Sequence, residues 1–128
     1  PLVTQKVVAK VLDTIDYDAH LDNVRKVYKM KCDALLNAFH KYASSKVHLT
    51  QPTGGMFAWM TMPAEVNCDE FFEACMDRNV GIIKCGAFAA DGAGEGHAFR
   101  LSYTVPTVEE ITKGMEILGA LTKEFCGE

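Results

Sequence analysis

Phe99-Arg100-Leu101-Ser102-Tyr103-Thr104 alternates apolar and polar side chains, the period-two pattern of a β-strand resting one face on a core. Phe99, Leu101 and Tyr103 share one face, and Ala98, Arg100, Ser102 and Thr104 share the other. If the first face is buried, Arg100 points off the opposite one. A guanidinium fixed on a strand can grip a carboxylate with two parallel hydrogen bonds, which sets orientation as well as affinity. Spacing alone favours a plainer role for Arg100, a surface arginine beside a carboxylate.

Working outward from that strand, Thr107 and Glu110 form a capping box, and Val108, Ile111, Met115, Leu118 and Phe125 stripe a final helix. On the other side, Val80-Gly81-Ile82-Ile83 reads as a further strand. Asn67 followed by Glu70 starts a helix predicted to run to about Asn79, with Phe71, Phe72, Cys75 and Met76 facing inward. Val47-His48-Leu49-Thr50 and Met56 to Met62 read as two strands of a hairpin around Pro52-Thr53-Gly54-Gly55, with Phe57 and Trp59 on one face. Before them, Leu21, Val24, Tyr28, Cys32, Leu35, Phe39 and Tyr42 keep helical spacing over about six turns, with Asp18 as the expected N-cap. The far side of that helix carries Arg25, Lys26, Lys29 and Asp33, a solvated surface. The chain opens at Pro1 directly in helix-like sequence, with Val3, Val7, Val8, Val11, Leu12 and Ile15 at helical spacing. A domain that begins inside an element is expected to be cut from something longer. Helices at both ends with hairpin-like strands between them predict an α+β fold, helices packed against a small, largely antiparallel sheet. Residues 1–128 make a single domain, without an internal repeat.

With 128 residues the chain can bury one real core but not two. A net charge of −4 with no basic block argues against a nucleic-acid partner, and no apolar run approaches bilayer-spanning length, so no membrane partner is expected. Five cysteines, an odd number without metal-site or redox spacing, suit a reduced, cytoplasmic setting. Cys68 and Cys75 with a histidine are a weak metal alternative, and no metal ligand is assigned.

Residues able to carry chemistry alone are scarce. Asp91-Gly92-Ala93-Gly94-Glu95-Gly96 runs into a strand rather than a helix N-terminus and carries two acids, so it reads as a mobile loop and not a phosphate cradle. Gly54-Gly55 reads as a tight turn, and Phe57 and Trp59 as core or interface aromatics. His20, His40, His48 and His97 share no partner, Ser102 has no activating base, and Lys84 reads as a solvated strand-end lysine. No catalytic residue is nominated.

Three stretches nevertheless resemble one family. His20-Leu21-Asp22-Asn23-Val24-Arg25-Lys26-Val27-Tyr28 with Cys32-Asp33-Ala34-Leu35-Leu36 is similar to the long helix of the C-terminal small domain of fold-type I (class I/II) aminotransferases, the pyridoxal-phosphate enzymes. Pro52-Thr53-Gly54-Gly55-Met56-Phe57-Ala58-Trp59 resembles that family's Pro-x-Gly-Gly-Met-Phe-x-Trp run, a mark of the branch with 2-aminoadipate, kynurenine and multi-substrate transaminases. Asn79-Val80-Gly81-Ile82 through Gly86-Ala87-Phe88, then the glycine loop and Phe99-Arg100-Leu101-Ser102-Tyr103, resembles the closing segment. Cys85 stands where the family usually has proline, and Lys31 and Cys32 replace its paired arginines.

The resemblance implies that Arg100 binds the substrate α-carboxylate and that Asn79 to Phe88 lie near the active-site mouth. It implies an enzyme that moves an amino group between an amino acid and a 2-oxo acid with pyridoxal 5'-phosphate, as a homodimer. The family's Schiff-base lysine, pyridine-pairing aspartate and phosphate cup belong to a larger cofactor domain and have no counterpart here, Lys84 included. The chain alone is therefore expected neither to hold the cofactor nor to transaminate. Three alternatives share the resemblance: the effector domain of an aminotransferase-like transcriptional regulator, a stand-alone small-ligand domain, and a lyase or synthase of the same fold.

Overall fold

The alternation at Phe99–Tyr103 is realised in a central strand. The computed structural model describes residues 1–90 and 96–128. Its elements are α1 (Leu2–Thr14), α2 (Tyr17–Tyr42), β1 (His48–Leu49), β2 (Phe57–Thr61), α3 (Cys68–Asp77), β3 (Ile83–Lys84), a 3-10 turn (Cys85–Phe88), β4 (Ala98–Ser102) and α4 (Val108–Cys126). The four strands form one sheet in the order β1-β2-β4-β3, every neighbour antiparallel. The loop expected over Asp91–Gly96 lies, apart from Gly96, outside the described residues.

Phe99, Leu101 and Tyr103 are buried, and so are Leu49, Ala58 and Met60 on the same face of the sheet. They join Cys32, Leu35, Ala38 and Phe39 of α2, Phe71 and Cys75 of α3, and Ile111, Met115, Leu118 and Leu121 of α4 in one core. Helices thus cover one face of the sheet, as the α+β pattern predicts. The other face carries Phe57, Trp59 and Thr61 of β2, Ala98, Arg100 and Ser102 of β4, and Ile83 of β3. The ends of α2 and α4 interlock closely. A Cβ on Gly119 would lie 2.6 Å from the Tyr42 carbonyl carbon, so only glycine permits this approach. Next to it the Ser44 N–H donates to Thr122 Oγ1 at 2.9 Å, and the same hydroxyl donates to the Gly119 carbonyl at 2.7 Å.

Both halves of the Thr107–Glu110 capping box are present. Several expectations are corrected. The cap of α2 is Asp16, whose carboxylate accepts the Ala19 N–H at 3.0 Å, while Asp18 sits in the first turn beside the positive helix end. α3 stops at Asp77 because Asn79 takes φ 58°, a left-handed conformation that asparagine tolerates. The Val80 N–H returns to the Cys75 carbonyl to close that helix end, so the strand expected over Val80–Ile83 shrinks to Ile83–Lys84. Met76 is 47% exposed rather than inward; Phe71 and Cys75, one turn apart, centre the buried stripe and leave Met76 beside it. The apolar stripe of α1 exists, but every α1 residue is exposed.

Candidate functional site

Arg100 lies at the middle of β4, level with Trp59 on β2 and Ile83 on β3. It is half-buried on the sheet face that the helices leave open. Its guanidinium carbon is 4.0 Å from the ring centroid of Phe57 and 4.4 Å from that of Phe88. Phe57 reaches it diagonally, because Phe57 pairs with Ser102, two residues along β4. Phe88 arrives from the 3-10 turn after β3 and stands edge-on to Trp59, with centroids 5.6 Å apart and an interplanar angle of 85°. Of the two expectations for Phe57, core or interface aromatic, the core one is corrected: it is 37% exposed and its ring lies against the arginine.

The support for this face comes through the sheet from the core side. Tyr103 is fully buried, and its hydroxyl donates to the Gly55 carbonyl at 2.8 Å. That bond ties down the Gly54-Gly55 turn, where Gly55 takes φ 81° and a side chain would be strained. Thr50 and Trp59 close the hairpin: the Thr50 N–H donates to the Trp59 carbonyl and Thr50 Oγ1 accepts the Trp59 N–H, both at 2.9 Å. Lys31, one of the two departures on α2, donates to the Thr104 carbonyl at 2.7 Å, just beyond β4. Cys32, the other, packs in the core, where burial pushes its thiol up.

Lys84 pairs with Phe99 in the sheet and so lies on the face opposite Arg100. It forms an ion pair with Asp69 at 2.6 Å over the Phe72 ring, half-buried rather than simply solvated. None of the described strand residues on the open face is a lysine. The described strand residues of this face therefore do not fit a cofactor held through a lysine amine. Cys68 Sγ stands 3.5 Å from His97 Nδ1, and its thiol is pushed up by burial and then by Cys85 and Asp69. Cys75, offered with Cys68 as a metal pair, instead lies in the core, its thiol pushed up to about 12 by burial. Among the described residues no group of three or more His, Cys, Asp or Glu could hold a metal ion. His20, His40 and His48 are exposed; His20 and His40 lie far apart along α2, and His48 lies on β1. The Cys85 sulfur packs directly on Gly96, where any Cβ would overlap it. All five cysteines are free thiols.

The α+β fold of this chain has counterparts among known proteins. The chain is 34% identical over 123 residues to the 2-aminoadipate transaminase of Thermus thermophilus, covering 96% of this chain and 30% of that protein. The crystal structure of LysN, the α-aminoadipate aminotransferase of Thermus thermophilus complexed with N-(5'-phosphopyridoxyl)-L-leucine, superposes with a TM-score of 0.90 at 32% identity, over 99% of this chain and 32% of that one.

This chain matches the C-terminal portion of aminotransferases.

An HTH-type transcriptional regulator of Bacillus subtilis, YdfD, is also similar, at 25% identity over 97% of this chain and 25% of the regulator. The chain spans about 30% of the length of the aminotransferase and 25% of that of the regulator. No family model matches it. The aminotransferase superposition takes in nearly the whole chain, so the sheet and its helices share one arrangement with that structure. Among the described residues no helix is long and apolar enough to cross a membrane.

Proposed function

We propose that this chain is the carboxylate-anchoring domain of a larger pyridoxal-phosphate aminotransferase, with Arg100 as the anchor. The observation that carries this reading is the position of Arg100, on the uncovered sheet face and against two aromatic rings. A planar guanidinium there can take both oxygens of an α-carboxylate and hold the amino acid in one orientation, and such positioning supplies a large share of catalysis. The cofactor, bound by the rest of the enzyme, supplies the electron sink. The substrates are an amino acid and a 2-oxo acid, and the complete enzyme works as a homodimer. The five free thiols favour the cytoplasm. The apolar stripe of α1, exposed along its length, favours cover by the cofactor domain in the intact protein. The 128 residues alone hold no cofactor and do not transaminate.

The test is Arg100→Ala in the complete enzyme. Losing a charge-assisted bidentate contact raises the amino-acid KM and lowers kcat, together about 10- to 100-fold in kcat/KM, while cofactor absorbance stays unchanged. Unaltered kinetics would refute the anchor. A second reading, the effector domain of a transcriptional regulator, is favoured by the similarity to the HTH-type protein. A DNA-binding domain in the sequence upstream of Pro1 in the native protein decides for it.

A further inference from the structure

Arginine has a long, flexible side chain, and on an open sheet face much of its binding capacity is lost to rotamer freedom. Arg100 is not left in that state. Phe57 and Phe88 both lie within 4.4 Å of its guanidinium carbon, and each comes from a different segment. β2 fixes Phe57 in register with β4, and the rings of Trp59 and Phe88 meet near a right angle. Phe57 and Phe88 are 37% and 45% exposed, and neither belongs to the hydrophobic core. Both rings lie outside the core and meet the same guanidinium, so the shared cation is a reason for their placement beside it.

We propose that Phe57 and Phe88 are positioning residues for Arg100: the two rings orient its guanidinium so that a carboxylate is bound from one direction. The proposal rests on the reading of Arg100 as the carboxylate anchor. A ring against the guanidinium face keeps acceptors off that face and leaves the in-plane N–H edges to bind. Those edges match the two coplanar oxygens of a carboxylate. Trp59, directly across from Arg100 and edge-on to Phe88, supports the ring that comes from the less regular segment. The consequence is selectivity for substrates with a free α-carboxylate over amines that lack one.

The experiment uses the complete enzyme with Phe57→Leu and Phe88→Leu, each in the Arg100 and the Arg100→Ala backgrounds. Phe57→Tyr and Phe88→Tyr retain the ring, and Phe57→Met and Phe88→Met give a second non-aromatic side chain should leucine fail to fold. Steady-state kinetics are compared for an amino acid and for the primary amine with the same side chain but no carboxylate. Each non-aromatic variant is expected to raise the amino-acid KM about three- to tenfold, with a smaller change in kcat. The tyrosine variants restore it, the amine is unaffected, and the effect vanishes once Arg100 is alanine. Wild-type KM in the Leu and Met variants, with Arg100→Ala still impaired, overturns the positioning role and leaves the anchor standing. Equal losses with and without Arg100 assign the rings to direct substrate contact and also overturn it. An Arg100→Ala enzyme with normal amino-acid kinetics removes the anchor itself.

Discussion

Replacing Gly119 with alanine tests the packing that brings the helical layer together. On helix propensity alone the change would stabilise α4 by about 1 kcal/mol. The structure reverses that sign. The new Cβ would sit 2.6 Å from both the carbonyl carbon and Cβ of Tyr42 and 2.7 Å from its carbonyl oxygen, against an ordinary contact of 3.4 Å or more. The obstacle is mainly backbone, so α2 and α4 must move apart by several tenths of an ångström. Overpacking of this kind costs about 1–3 kcal/mol. The displacement also strains the buried Ser44–Thr122 hydrogen bond beside it, worth about 1 kcal/mol. The net expectation is a loss of about 1–3 kcal/mol. A Cβ at Gly114, on the same helix, would meet nothing within 4 Å; alanine there is expected to gain about 0.5–1 kcal/mol. Urea unfolding followed by circular dichroism reads both. With a slope of about 1–3 kcal/mol per molar, Gly119→Ala should lower the midpoint by about 1 M and Gly114→Ala should raise it slightly. A Gly119→Ala midpoint equal to or above that of the unmodified protein refutes the close approach of the two helices.

Further outcomes follow from the same contacts. Thr122→Val leaves the buried Ser44 N–H without its acceptor and is expected to cost about 1–3 kcal/mol in the same urea assay. Tyr103→Phe removes the hydroxyl that holds Gly55; it should cost about 0.5–1.5 kcal/mol and raise hydrogen exchange of the Gly54–Met56 amides, and unchanged exchange there would mean the turn holds itself. Burial lifts the Cys75 thiol from 9.0 to about 12, so the folded state keeps a proton that the unfolded chain releases above about pH 9. That contribution to stability is complete below pH 9 and is lost as pH rises towards 12. Melting temperatures from pH 8 to 11 should therefore fall more steeply for the unmodified protein than for Cys75→Ala, and parallel slopes would count against the buried thiol.

Local regularities of this protein were legible in its residues. Thr107 and Glu110 specify a helix start within four positions, and both halves of their capping box form. The Phe99–Tyr103 alternation fixes which side chains are buried, and the stripe from Cys32 to Phe39 marks the inner face of α2. Helix ends were less legible. Asp16 and Asp18 are both competent caps, and the choice between them depends on where the preceding chain turns. The α1 stripe was visible as amphipathic, but periodicity states only that a face wants cover, not what covers it. The resemblance to aminotransferases singled out Arg100 because a motif travels with a segment of chain. What placed Phe57 and Phe88 on that arginine was strand register and the course of the turn after β3. These contacts join residues 43 and 12 positions apart in the chain, and a one-residue slip of β2 would put Phe57 into the core and Ala58 outside. Short-range side-chain periods and caps are written in the sequence because each depends on neighbours along the chain; the aromatic setting of Arg100 is a cross-strand property, decided only when the sheet pairs.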